Sequence, residues 1–337
     1  MSDVAAPPRG GLRQMLPGVI ISLVALALVF YFVDLPTFVA ALRQSDWRGF
    51  ALAFLLFFGT LIARSLSWRI LLQEKTTFSR AFWVLNEGYL LNNVLPFRLG
   101  EFGRAFLMGQ TQKLPFWEVL STIIVERIFD VGIMAGLLLS TLPFVLGAQD
   151  ARGAALVAAG IMVTGFFVLF LVARNRPGAL ALYDRLLGRW PRLAGWGRPK
   201  LVAFLDGLVV LTVPRRFFAV LALLLLAWAF NIGWYGALLW AFLGSITPVM
   251  AGFVVGASAL GVALPSSPGY VGVFEAALVG ALSLFGVEPA VALAFAISAH
   301  VLYLVITIGL GAFGLSRDGM SLGSIYAQIS KRRERGA

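Results

Sequence analysis

Apolar residues fall into long, nearly unbroken runs separated by short polar interruptions. A membrane-spanning helix needs about 20 such residues to cross a hydrocarbon layer of about 30 Å. On that scale the pattern predicts spans near 17–33, 50–72, 118–146, 151–173, 217–243 and 288–315. Two further apolar regions, 81–109 and 249–286, are interrupted at their centres by proline and glycine, which break a helical pattern. The interruption is the same in both: Leu-Pro-x-x-x-Gly-x-x-Gly. The first copy is Leu95, Pro96, Gly100 and Gly103; the second is Leu264, Pro265, Gly269 and Gly272. Helix breaks at matching places in two halves of a membrane protein point to a binding site at a repeat interface.

Composition agrees with this pattern. Hydrophobic residues make up 60% of the 337, charged residues 13%, and the mean hydropathy is +0.89. An ordinary soluble domain carries about 25% charged residues. The expected fold class is therefore an all-α polytopic membrane protein, with about six full spans and two re-entrant helical hairpins arranged like an inverted repeat. A transmembrane β-barrel would show short alternating segments instead. The chain has no cysteine and a single histidine, His300. That excludes thiolate metal sites and cysteine nucleophiles, and it argues against a zinc hydrolase or a histidine-based triad. No Walker loop, HExxH or DxD-type pair is present. The expectation is a protein that is not an enzyme, with no catalytic residues, no metal and no cofactor.

Charge sets the topology. Basic residues precede the first apolar run (Arg9, Arg13), follow the second (Lys75, Arg80) and crowd the tail (Lys331, Arg332, Arg333, Arg335). Residues 174–216 hold nine basic against two acidic side chains. By the positive-inside rule both termini and 174–216 are cytoplasmic. Residues 80 and 174 are then on the same side with two full spans between them, so 81–109 enters and leaves from the cytoplasm. The same count makes 249–286 enter and leave from outside. The run after Arg9 and Arg13 ends in Phe30, Tyr31, Phe32 and Val33, which is no cleavage site, and it reads as a retained span. The organisation expected is a cytoplasmic segment 1–16, a membrane domain 17–315 and a basic cytoplasmic tail 316–337. The connection 174–216, with Trp190 and Trp196 among its arginines, reads as one or two amphipathic helices on the headgroup layer. The net charge of +11 fits anionic lipid headgroups, and no nucleic-acid-binding motif accompanies it.

Charged groups at membrane depth cost about 2.5–3.5 kcal/mol each on insertion scales and face a cavity or a partner. Arg98, Glu101 and Arg104 follow the first break at a spacing of three, which places them on adjoining positions of one helix face. They read either as ligand-binding groups or as a structural lattice, with Arg104 reaching the cytoplasmic surface in the latter case. Glu126, Arg127 and Asp130 sit inside the 118–146 span and leave a net negative charge, which Arg98 or Arg104 would neutralise if the hairpin packs alongside. Around the second break stand Ser266, Ser267, Gly269, Tyr270 and Glu275, groups able to hold a polar headgroup or to form a surface turn. Glu275 needs a partner, for which His300 and an arginine of the first hairpin are candidates. Asn92 and Asn93 either cap backbone or contact a ligand. Arg64 lies deeper in its span than snorkelling readily explains.

NNVLPFRLGEFGR, then VERIFD, then LPSSPGYVGVFE, resemble in that order the transmembrane region of bacterial lysylphosphatidylglycerol synthases and the flippase-like membrane proteins that share it. The resemblance covers about 15–315. It implies a role in moving or handling lipids across the cytoplasmic (inner) membrane. It carries Asn92, Arg98, Gly100, Glu101 and Arg104, then Glu126, Arg127 and Asp130, then Pro268, Gly269, Gly272 and Glu275 as the polar positions. His300 stands where the family pattern implies an arginine. With a basic tail ending at 337, the aminoacyl-transferring domain of the full synthases is not expected, and neither is lysyl-lipid synthesis. The function expected is a lipid translocase or lipid-transport protein binding a phosphate-bearing headgroup through these residues together with Ser267, Tyr270 and His300. Its partners are membrane lipids, and a second copy or a lipid-modifying enzyme is also considered. The alternatives are a non-transporting accessory subunit of a glycolipid or hopanoid pathway, and a membrane transferase using Glu101 with Glu126.

Overall fold

A computed structural model describes residues 34–94, 100–146, 160, 163–164, 167–168, 170–263 and 268–320. The expected span 17–33, most of 151–173 and most of the basic tail lie outside the described residues, as do Arg98, Ser266 and Ser267.

The described residues are helical, with no strand among them. In chain order the α-helices are α1 Leu35–Gln44, α2 Trp47–Leu71, α3 Phe78–Val94, α4 Gly100–Gln112, α5 Phe116–Leu146, α6 Arg176–Leu187, α7 Pro191–Leu208, α8 Pro214–Leu243, α9 Pro248–Ala263, α10 Val273–Ser283 and α11 Pro289–Arg317. Short 3₁₀ turns cover Val209–Thr212 and Pro268–Tyr270. Among the described residues four helices, α2, α5, α8 and α11, are long and apolar enough to cross a membrane, and this is a multi-pass membrane protein. The order long helix, two short helices, long helix occurs twice, in α2–α5 and in α8–α11.

Local chemistry sets the helix ends. Asp34 and Asp46 accept from the amides of Thr37 and Arg48 at 2.9 and 2.8 Å and open α1 and α2. Glu288 accepts from the Val291 amide at 3.1 Å to open α11, with Pro289 in the first turn. Side-chain acceptors there satisfy amides that a helix start otherwise leaves orphaned. Gly244, at φ 68°, closes α8 in the left-handed conformation, its amide donating to the Trp240 carbonyl at 2.9 Å.

The most extensive helix pair is α2 against α8. Small residues bring the two backbones together: a Cβ on Gly49 would lie 2.6 Å from the Ala237 carbonyl oxygen. This is how apolar helices associate where lipid removes the hydrophobic drive between them. The basic connection is two helices, not a free surface layer throughout. α7 packs on α5 and contributes Leu205 and Leu208 to the core around Trp68 and Ile123. The two acids of the connection are each paired, Asp184 of α6 with Arg198 of α7 at 3.0 Å and Asp206 of α7 with Arg176 of α6 at 2.7 Å.

The helices flanking each motif copy pack as pairs, α3 with α4 and α9 with α10. The pairs also meet each other. The turn at Gly269 rests on the end of α3, where a Cβ on Gly269 would come 3.7 Å from the Asn93 carbonyl oxygen.

Candidate functional site

Three arginines and three carboxylates from three helices form one buried network. Arg64 of α2 donates to both carboxylate oxygens of Asp130, at 3.0 and 2.9 Å, and to Glu126 at 3.3 Å. Arg104 of α4 donates to the other Glu126 oxygen at 2.9 Å. Arg127 bridges Glu126 and Asp130 at 3.0 Å each and approaches Glu101 at 3.7 Å. The Trp228 indole N–H of α8 adds a 2.9 Å bond to Asp130. Each Glu126 and Asp130 oxygen thus has a charged donor, the condition under which buried ions are tolerated.

The network is graded in exposure. The Arg104 side chain is 2% exposed, and its guanidinium lies 4.1 Å from the centroid of the Trp68 ring. Arg127 and Glu101 are 34% and 27% exposed and share the longest ion pair of the group. Arg104 therefore belongs to the interior, and the Arg127–Glu101 pair forms the accessible edge.

A cavity of about 290 Å³ opens beside that edge. Arg64, Glu101, Arg127 and Asp130 line one side, with Asn92 and Asn231. Phe57, Tyr89, Trp228, Trp234, Tyr235 and Tyr303 form aromatic wall, and Tyr270 and His300 contribute from the second half. Val131 of α5 also lines it and is 58% exposed, so the polar interior reaches an apolar outer surface of a candidate span.

The second motif copy contributes a separate hydrogen-bonded unit. His300 Nδ1 lies 2.5 Å from Glu275 Oε1, and Nε2 lies 2.7 Å from the Gly269 carbonyl oxygen. A carbonyl only accepts, so Nε2 carries a hydrogen. The Nδ1–Oε1 contact then holds one proton between the two groups, and the pair is neutral overall whichever atom carries it. The other Glu275 oxygen accepts from the Gly272 amide at 2.6 Å, reaching back to the start of its own helix α10. A backbone amide beside each break already has a side-chain acceptor: the Gly100 amide donates to Asn92 Oδ1 at 2.8 Å, and the Gly272 amide to Glu275.

Of the residues singled out from the sequence, the structure gathers Asn92, Glu101, Arg127, Asp130, Tyr270 and His300 on the cavity. Glu126 and Arg104 stand behind its charged side, Gly100 opens α4 with its amide bonded to Asn92, Gly269 shapes the second turn, and Glu275 orients His300. Arg98 and Ser267 lie outside the described residues. Sequence reasoning missed the central place of Arg64 and all of Tyr89, Trp228, Asn231 and Tyr303. The signal for Arg64 was its depth in the span; Trp228 and Asn231 lie in an apolar stretch of α8 with no neighbouring charge to mark them.

A family model described as the lysylphosphatidylglycerol synthase TM region matches residues 15–311. The chain belongs to that family. Among relatives, a protein named glycosyltransferase AglD from Haloferax volcanii is 26% identical over 355 residues, covering 94% of this chain and 56% of its own length. A protein named UPF0104 membrane protein from Methanothermobacter thermautotrophicus is 30% identical over 149 residues, 44% of each chain. The chain spans about half the length of these curated relatives. No solved structure matches it. Membership in the lysylphosphatidylglycerol synthase transmembrane family covers all three motifs and both halves of the cavity.

Proposed function

We propose that this chain is a lipid translocase, not an enzyme, of the cytoplasmic membrane, and that the cavity receives the polar headgroup of a membrane lipid. The observation that carries this reading is a charged, aromatic-walled cavity that meets an apolar outer surface at Val131. A lipid can place its head in such a cavity while its chains stay in the bilayer. A volume near 290 Å³ sits at the low end of ligand sites, room for about ten waters and so for a headgroup alone.

The motif-bearing helix pairs are the proposed moving parts. At about 1.5 Å per residue, the 17 and 13 residues of α3 and α4 reach about 26 and 20 Å, and the 16 and 11 of α9 and α10 about 24 and 17 Å. None crosses about 30 Å of hydrocarbon alone. Each pair is therefore read as a re-entrant hairpin, from the cytoplasm for the first and from outside for the second, with both termini cytoplasmic. Arg127, held loosely by Glu101, is the group proposed to take the lipid phosphate; Glu275 and His300 set the opposite turn.

The test is exchange of a fluorescent lipid between leaflets of liposomes holding the purified protein. Wild type should speed exchange well above protein-free vesicles, and Arg127→Ala should lower that gain by about tenfold or more, the worth of one charge-assisted bond. Equal, background-level rates for both proteins with every lipid tried would sink the proposal. A second reading, an accessory membrane module for a lipid-modifying enzyme, is supported by the Haloferax volcanii relative, where the matched region is part of a longer protein named a glycosyltransferase. Stable copurification with such an enzyme, without lipid exchange, would favour it.

A further inference from the structure

We infer that the headgroup taken up by this cavity is a sugar joined to its lipid through a phosphodiester. The inference rests on the headgroup reading above and narrows it.

Charge balance comes first. Among the described residues Arg64, Arg104 and Arg127 face Glu101, Glu126 and Asp130, and this network of six carries no net charge. A headgroup with two negative charges finds no excess of positive charge there, and a cationic one finds no excess of negative charge. The interior instead offers planar donors and acceptors: the Arg64–Asp130 pair, fixed by two bonds, and the carboxamide of Asn231. Hydroxyl groups, which both donate and accept, suit such a set without disturbing its charge.

The second observation is the aromatic lining. Trp228, Trp234 and Tyr303 line the same cavity, each held in place by its neighbours: Trp228 by its bond to Asp130, Trp234 edge-on to Tyr235 at 4.3 Å, Tyr303 edge-on to Phe57 at 6.0 Å. A pyranose has apolar C–H faces and a polar rim. Rigid aromatic wall against ordered polar groups complements both.

The third is the edge. One arginine, Arg127, is partly exposed at the cavity and held to Glu101 only at 3.7 Å. A singly charged phosphodiester can take the place of Glu101 there, with the sugar inward and the lipid chain outward past Val131.

The experiment is a titration of the full chain in nanodiscs, read by intrinsic tryptophan fluorescence. The probes are farnesyl phosphoryl glucose, farnesyl phosphate and dioleoyl phosphatidylglycerol. The glycosylated lipid should bind at least about tenfold more tightly than either of the others, the value of one or two good hydrogen bonds. Asn231→Leu, checked for an unchanged unfolding temperature, should narrow that preference to about threefold or less. Should farnesyl phosphate or phosphatidylglycerol bind as tightly as the glycosylated lipid, the sugar assignment is overturned while the headgroup reading stands. Binding of none of the three overturns both.

Discussion

In the first motif copy Gly100 and Gly103 are helical, and their lack of a side chain lets α4 lie against α3: a Cβ on Gly100 would sit 2.1 Å from the Gly88 carbonyl oxygen. In the second copy Gly269 and Gly272 have φ of +73° and +89° and turn the chain into α10, with no non-neighbouring atom closer than 3.7 Å to a Cβ on Gly269. The polar residues that follow diverge in the same way. Glu101 and Arg104 reach across to α5 and join a six-membered charge network, whereas Glu275 folds back on its own helix start and holds His300. One spacing of proline and glycine thus serves close approach in one half and a left-handed turn in the other. The half with the charges forms the accessible edge of the cavity, and the other closes it with neutral bonds.

The sharpest way to break this contrast is to remove one carboxylate from each half. Glu126→Ala leaves Arg104 buried without its carboxylate, which should cost about 3–5 kcal/mol and lower the unfolding temperature in detergent strongly. Replacing both partners together, as Arg104→Met with Glu126→Leu, should recover part of that loss, because the desolvation of both ions is removed with the bond. A loss from Glu126→Ala no larger than that from Glu275→Gln would erase the distinction between the halves.

The glycines come next. Gly100→Ala forces its methyl against backbone that cannot swing away, and should cost up to about 3 kcal/mol by overpacking. Gly269→Ala has room but an unfavourable φ, and should cost about 1–2 kcal/mol. Thermal unfolding of the two variants side by side measures the order, and the reverse order would show that the first pair is not packed as described. Smallest is His300→Gln, which keeps a donor for the Gly269 carbonyl but loses the Glu275 contact; about 1 kcal/mol is expected. If this variant instead matched Glu126→Ala in unfolding temperature, the neutral pair would be as central to stability as the charged network.

Much of the architecture was legible in the chain. The runs 50–72, 118–146, 217–243 and 288–315 correspond to α2, α5, α8 and α11, because a lipid environment forces long apolar stretches that no soluble fold requires. The paired helix breaks were equally plain, since proline and glycine act on their own backbone whatever lies around them. Intrahelical spacing also put Glu126 and Asp130 on one face, as the shared contact with Arg64 shows.

What spacing could not supply was partnership. Arg64 is 62 residues from Glu126 and Trp228 is 98 from Asp130, and such pairs exist only once α2, α5 and α8 are packed. Arg98, Glu101 and Arg104 read as one set along the chain, yet the fold turns Arg104 inward to Glu126 and Glu101 outward to Arg127. The sequence by itself determined a helical membrane protein with two matched interruptions, because hydropathy and backbone chemistry are local. Only the tertiary structure decided that three arginines and three carboxylates pair beside an aromatic cavity, because electrostatic pairing and enclosed volume depend on distances through space.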